Sequence, residues 1–568
     1  MDLKAKPFNL NEKQVKWVED TLASLSTREK VGQLFCINVV TEGVGDLVAE
    51  LNQLDIQPGS YMTRSMPAKV VQENFRQLQK HAKLPLLFAA NLERGADGVC
   101  DEGTCFGTQM EVAATNDLEV SYKSGLVCGR EGAALGCNWN FGPILDIDTN
   151  FHNPITNTRV SSSDPEKVLE MNRAFIRGMK ETGMAVSIKH WPGDGRDERD
   201  QHMVTSINSS TVEEWDATYG RIYRTMIEEG AETLMSAHIM LPAYSRKLRP
   251  GIKDEDILPG SLSYELNNDL LRGQLGFNGL IVSDATTMNG FMQTMSRDKA
   301  VPTCVANGCD IFLFVCNLEE DFGLMMDGLK NGILTEERLN EAVTRILALK
   351  ASLGLPEKFA AGTMVPGPEA LEVFRDETHR NWARECADKA VTLVKDTQNI
   401  LPLDSKKYKR VLLHVLGDVG GYHDPTKDHA KRFIEQLEKR GFEITLFDGT
   451  KPEMQYIGTS VKSLQERFDL ILYFANIKTS GSDTVARIRW EGPGALNSTR
   501  YIYDIPTVFV SVDNPYHLLD APKVKTFING YTPSPFVVDA VVEKLTGESE
   551  FKGVNPVDPF CGLWNTKL

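Results

Sequence analysis

Eight short apolar runs follow one another along the first part of the chain, and the stretches between most of them carry hydrophobic positions at helical spacing. The runs fall at residues 32–37, 58–61, 86–90, 138–141, 185–188, 233–237, 279–282 and 310–314, the second being the weakest. Rich in β-branched and aromatic residues and without polar alternation, they read as strands buried on both faces. Amphipathic helices are predicted over 165–181, 212–229 and 336–353. The first is announced by Ser163-Asp164-Pro165-Glu166, which supplies an acceptor at the cap and a proline for the first turn. Strand alternating with helix implies parallel pairing, and eight such units suffice to close a TIM-type (β/α)8 barrel, here near Gly354-Leu355-Pro356.

A second α/β pattern follows. Residues 356–390 read as a linker, punctuated by Pro and Gly before it enters a helix. Strand candidates then appear at 410–415, 443–446, 470–474, 507–511 and 524–528, with helices at 428–440 and 535–545. This predicts an open α/β sandwich with helices on both faces, of the flavodoxin-like kind. The expected organisation is a barrel over 1–355, the linker, and a C-terminal sandwich over 391–568.

Charge and composition narrow the function. A net charge of -16 and the lack of any Lys/Arg-rich run argue against a nucleic-acid partner. Residues 1–7 carry no apolar leader, and no run of about 18 apolar residues occurs, so no membrane partner and a cytoplasmic location are expected. A chain whose signal peptide had been removed would read the same way. The ten cysteines are scattered and form no zinc-ligand framework, so free thiols are expected, although Cys100 and Cys105 stand close enough for a disulfide or a metal. No metal and no cofactor are expected.

In such a barrel the chemistry belongs at the carboxyl ends of the strands. The polar residues there are Asn91 and Glu93, Asp146 and Asp148, Lys189 and His190, His238, and Asp284. Asp284 follows Ile281-Val282-Ser283 directly and is a candidate nucleophile or electrostatic stabiliser, or else the cap of the next helix. The loop after the fifth run, Lys189-His190-Trp191-Pro192-Gly193-Asp194-Gly195, runs on to Asp200-Gln201-His202. A carboxylate two residues from an imidazole can orient one ring nitrogen and leave the other to move a proton. The plainer alternative is a solvated loop, since Arg196, Asp197, Glu198 and Arg199 are all charged. Gly193 and Gly195 would let this loop bend.

Lys-His-Trp-Pro-Gly-x-Gly followed by Asp-x-His, with a later strand ending Ser283-Asp284, resembles glycoside hydrolase family 3, and within it the β-N-acetylglucosaminidase branch. The similarity extends into the second half through Ala390-Val391-Thr392-Leu393-Val394-Lys395 and Ile400-Leu401-Pro402-Leu403. The resemblance implies a retaining double displacement on a small oligosaccharide from cell wall or chitin. Asp284 would form a covalent glycosyl-enzyme, His202 would serve as acid and then base, and Asp200 would orient His202. It further implies that Lys189, His190, Arg159 and Asn91 bind sugar hydroxyls.

This chain departs from the family where Asn91-Leu92-Glu93-Arg94-Gly95 replaces Asp-x-Glu-Gly-Gly, where Asp194 replaces a histidine, and where Ala285 follows the nucleophile. Alternatives remain open at this level. The acceptor could be phosphate, the imidazoles and carboxylates could gather a metal, or the fold could bind sugar without turnover. The oligomeric state is not legible, and Asp424 and Arg489 of the second half are candidates for a role there.

Overall fold

Ser26 and Glu29 form a capping box that starts the helix Thr27–Gln33, so the first strand, expected from residue 32, begins only at Phe35. The other strands fall where the apolar runs predict them. In the computed structural model, which describes every residue except 418–427, 452–458, 478–480, 483–486 and 493, contacts divide the chain into two units. The first comprises Met1–Thr104, Ser121–Asn150 and Val168–Asp376; the second comprises Cys105–Val120, Phe151–Lys167 and Glu377–Leu568.

The first unit holds eight parallel strands: Phe35–Val39, Ser60–Thr63, Leu87–Ala90, Trp139–Asn140, Ala185–Trp191, Thr233–Ser236, Leu280–Ser283 and Phe312–Leu313. The first seven pair in sequence order and the eighth pairs with the first. An isolated parallel bridge between Val282 and Ile311 joins the seventh to the eighth, so the sheet comes round as a TIM-type barrel.

The Trp139 indole N–H donates to Thr233 Oγ1 at 2.9 Å, and because the fourth and sixth strands are not neighbours this bond runs through the interior. In-register partners share a face, so Ala185 beside Trp139, Ser187 beside Thr233, and Val282 beside Met235 all point inward. Two residues further along, Lys189 and Asp284 point inward at the carboxyl mouth.

The opposite end carries a charge cluster. Asp310, fully buried ahead of the eighth strand, accepts from Arg272 at 2.8 Å and from Arg338 at 2.7 Å, with Arg345 at 3.7 Å. Burial alone would raise the Asp310 carboxyl, but the three guanidiniums hold it below the usual carboxylate range.

The helix predicted over 212–229 is two, Val212–Ala217 and Tyr219–Glu228, broken at Thr218 (φ -115°, ψ -95°). From the two sides of the break, Trp215 Nε1 donates to the Pro192 carbonyl and Tyr219 Oη to the Asp194 carbonyl, each at 2.8 Å. Trp191 completes the packing, edge-on to Trp215 at 5.6 Å and to Tyr223 at 4.9 Å. Each such pair contributes about 0.5–1.5 kcal/mol beyond its buried area, and together they hold the turn after the fifth strand.

In the second unit, strands Arg410–Gly417, Glu443–Leu446, Leu470–Asn476, Thr507–Ser511 and Thr526–Asn529 pair in parallel in the order 2-1-3-4-5, the flavodoxin-like arrangement. A sixth strand, Thr392–Asp396, was not expected; it lies antiparallel at one edge, with a register shift between Leu393 and Lys395. Separate apolar clusters cover the two faces of the sheet.

The segments 105–120 and 151–167 belong to this unit although they precede it in sequence. Thr108 N–H donates to Thr532 Oγ1 at 2.9 Å, Val554 N–H to the Ala114 carbonyl at 2.9 Å, and Thr158 Oγ1 to Asp513 at 3.1 Å. Arg489 is exposed in a stretch without regular structure, while Asp424 lies outside the described residues. All ten cysteines are free thiols, Cys100 and Cys105 included. Among the described residues no helix is long and apolar enough to cross a membrane, and no group of three or more His, Cys, Asp and Glu side chains could hold a metal ion.

Candidate active site

Asp146, just past the fourth strand and almost wholly buried, fixes the loop that follows the fifth. Its Oδ1 accepts from the backbone N–H groups of His190 (3.2 Å) and Asp194 (2.8 Å), and its Oδ2 lies 2.6 Å from His190 Nδ1. One carboxylate therefore sets both the path of the turn and the orientation of the imidazole, which donates through Nδ1. The Lys189–His190 and Trp191–Pro192 peptides are cis.

The two glycines in the turn are pressed against neighbours. Gly193 (φ +117°) would place a Cβ 2.2 Å from the Tyr219 ring, and Gly195 (φ +107°) would place one 1.8 Å from the Ile147 carbonyl oxygen. Expected as points of bending, they are required here by close packing and left-handed backbone.

Lys189 reaches across the mouth to the third strand's end. Its Nζ donates to Glu93 at 2.7 Å and to Asn91 at 3.2 Å. Glu93 thus enters the site beside Asn91, the residue that the resemblance implied. At 2 % exposure the ammonium gains from a partner that balances its charge.

Asp200 and His202 form the expected pair. Asp200 is buried, and its Oδ1 accepts both the His202 backbone N–H at 2.9 Å and the ring at Nδ1, 2.7 Å away. Because a carboxylate only accepts, Nδ1 carries the hydrogen and Nε2 is left to face outward from a side chain that is 35 % exposed.

Asp284 lies at the end of the seventh strand, 8 % exposed. It does not cap the next helix, which begins at Asn289 behind Met288. Its backbone N–H donates to the Ser236 carbonyl at 2.7 Å, and its Oδ1 accepts the Ala285 N–H at 2.7 Å. Burial by itself would raise this carboxyl; the imidazoles of His190, His238 and His202 and the Ala285 N–H outweigh it and hold it below the ordinary carboxylate value. The Asp284 carboxyl is thus buried yet held toward its ionised form.

His238, fully buried after the sixth strand, supports it from behind. Nε2 is 2.9 Å from the Ala285 carbonyl and must donate, so Nδ1 accepts from the Ser261 hydroxyl at 2.8 Å. Burial pushes this imidazole below its usual pKa, against the pull of the Asp284 charge, which suits a neutral ring of fixed tautomer. Arg159 stands on the 3-10 turn Asn157–Arg159, in a segment of the second unit.

The profile of the glycosyl hydrolase family 3 N-terminal domain matches residues 26–349. The chain belongs to glycoside hydrolase family 3. Over its whole length, this family 3 chain is 46% identical to a curated protein of Cellulomonas fimi, "Beta-N-acetylglucosaminidase/beta-glucosidase", covering 100% of both. A solved structure titled "Beta-glucoside phosphorylase BglX bound to 2FGlc" superimposes with a TM-score of 0.94 at 45% identity, covering 99% of each chain. A family 3 β-N-acetylglucosaminidase from Paenibacillus sp. shares the fold, with a TM-score of 0.75 at 24% identity over 95% of this chain and 100% of that one.

Asp146, Glu93 and His238 stand at strand ends and were candidates without a role. His190, Lys189 and the Ala285 carbonyl, the partners named above, lie 44, 96 and 47 residues away in sequence, and nothing local announces the pairing. Gln201 was not among the candidates; it sits unremarked between the two members of the dyad.

Proposed function

We propose that this chain cleaves the terminal β-glycosidic bond of small oligosaccharides from cell wall or chitin, releasing N-acetylglucosamine or glucose with retention and without metal or cofactor. The observation that carries this reading is a buried carboxylate at the end of the seventh strand, Asp284, beside an Asp-x-His turn in which Asp200 holds His202 through Nδ1 at 2.7 Å and leaves Nε2 as the nitrogen able to move a proton. Asp284 attacks the anomeric carbon as the bond to the leaving oxygen breaks. His202 delivers the Nε2 proton to that oxygen, and Asp200 stabilises the imidazolium that precedes the transfer. In the second step the neutral imidazole removes the proton of the acceptor, and the ester to Asp284 is displaced. Lys189, His190 and Asn91 hold the sugar hydroxyls; the same role for Arg159 rests on the resemblance alone. The dual name of the Cellulomonas relative supports an open choice at the 2-position.

His202→Ala is expected to slow glycosides with poor leaving groups by about 10²–10⁴-fold while activated aryl glycosides lose far less, because only the former need a proton in the transition state. Equal losses on both series, measured as kcat/KM, would make His202 structural.

A second reading changes only the acceptor. It is favoured by the full-length similarity to a β-glucoside phosphorylase, and by an acid/base that is neutral or cationic, so that a phosphate anion meets no like charge there. On that similarity, turnover is expected to rise saturably with inorganic phosphate, the sugar appearing as its 1-phosphate. Free sugar released at a rate indifferent to phosphate would assign water as the acceptor.

A further inference from the structure

The hydrogen bonds inside the dyad turn shape it without locating it. His202 N–H binds Asp200, and the N–H groups of Met203 (2.9 Å) and Val204 (3.0 Å) bind the Asp200 carbonyl. These close a local turn, and just beyond it Thr205 Oγ1 donates to the Gly290 carbonyl at 2.9 Å and Ser206 N–H to the His238 carbonyl at 3.2 Å. Within the turn itself, the side chain that reaches the same backbone is Gln201. This side chain is 1 % exposed, and its Oε1 accepts the backbone N–H of His238 at 2.9 Å, while its own carbonyl accepts the Gly290 N–H at 3.1 Å. The amide is oriented by its partner, since an N–H can meet only the oxygen. Alongside, the His202 carbonyl accepts from Asn289 N–H at 3.1 Å.

Both anchor points belong to the machinery around the nucleophile. His238 is the residue whose ring holds the Ala285 carbonyl next to Asp284, and Gly290 lies in the first turn of the helix that follows the seventh strand. A second, independent observation concerns space. A Cβ at Gly290 would lie 2.5 Å from the Gln201 carbonyl oxygen, 3.0 Å from His238 Cβ and 3.1 Å from the Val204 carbonyl oxygen. The turn is therefore pressed onto a backbone that has no side chain at this point.

We infer that Gln201 is a positioning residue for the acid/base, clamping the Asp200–His202 turn onto the backbone of His238 and Gly290 so that His202 is held in register with Asp284. The inference rests on the reading of His202 as the proton donor. Displacement of a reacting group by about 1 Å is enough to cost up to about 10²-fold in rate, and the clamp acts at that scale. Its effect is selective: a misplaced His202 fails to protonate a poor leaving group, whereas attack by Asp284 on an activated glycoside needs no such proton.

The test uses the full chain with Gln201→Met, which keeps the shape and removes the acceptor, and Gly290→Ala, which lifts the turn. Both are assayed on aryl β-glycosides of graded leaving-group acidity. Each variant is expected to lose about 10-fold or more in kcat/KM on poor leaving groups and markedly less on activated ones. In a His202→Ala background, Gln201→Met is expected to cost nothing further on either. Uniform losses across the series, or losses that add in full to that of His202→Ala, would overturn the clamp and leave Gln201 as packing. Circular dichroism establishes that each variant is folded; should Gly290→Ala fail to fold, Gln201→Met decides alone. If His202→Ala itself shows no dependence on leaving group, the acid/base assignment falls and the clamp with it. If it does and Gln201→Met does not, only the clamp falls.

Discussion

Asp284→Gly is expected to reduce turnover of aryl β-glycosides by at least about 10⁴-fold, since on the proposed mechanism it removes the covalent nucleophile. Glycine removes the carboxylate and opens space at the end of the seventh strand. Added azide or formate is then expected to restore part of the activity on activated substrates, the small anion attacking where Oδ2 would have done, with inverted stereochemistry of the product. The fold should survive, because the Asp284 backbone N–H keeps its bond to Ser236 and only the Ala285 N–H loses an acceptor. Near-normal rates in the variant would remove Asp284 from the chemistry. So would labelling by a 2-fluoro glycosyl donor at any other residue, read by peptide mapping.

The largest expected loss of stability lies at the opposite end of the barrel. Asp310→Asn keeps the shape of the side chain and leaves the guanidiniums of Arg272, Arg338 and Arg345, none more than 12 % exposed, with the half-exposed Glu341, 2.7 Å from Arg345 and 3.5 Å from Arg338, in place of their buried carboxylate. Breaking a buried ionic cluster by removing one partner costs about 3–5 kcal/mol. The variant should therefore unfold at clearly lower urea concentration with unchanged slope. The pH dependence follows from the depressed Asp310 carboxyl: its stabilisation is fully present above the unfolded value of about 3.9 and is lost as the pH falls through the lower folded value. The gap between native protein and variant should accordingly be full at neutral pH and close in acid. A constant gap at all pH values would mean that packing, not charge, holds this end together.

Much of this architecture could be read from the chain because burial on both faces leaves an unmistakable signature. Runs such as Leu87–Ala90 and Leu280–Ser283 are buried at every position, and each is followed by a polar residue at the mouth, Asn91 and Asp284. The place of Asp284 at a strand end and the pairing of Asp200 with His202 were legible from the strand boundary and from the Asp-x-His spacing. The strand Thr392–Asp396 was missed because Lys395 and Asp396 give it no alternation and a register shift interrupts its pairing. The break at Thr218 was missed because Val212–Ala217 and Tyr219–Glu228 keep a helical pattern across it. Asp146 and Gln201 gave no sign of their partners for a different reason. They bind backbone N–H groups, and a backbone group carries no sequence identity.

The interleaving of the two units has a consequence for synthesis. The segments 105–120 and 151–167 emerge from the ribosome long before residues 377–568, which supply the partners that satisfy them. At the usual pace of about 5–20 residues per second, the helix Gln109–Ala114, every residue of which ends up buried, waits for tens of seconds without its lasting surroundings. Truncation anywhere between the last barrel strand and the final helix thus strands apolar sequence from the first third of the polypeptide. Shortened forms should be captured by chaperones or degraded, and dissection into two pieces would have to carry both excursions with the C-terminal half.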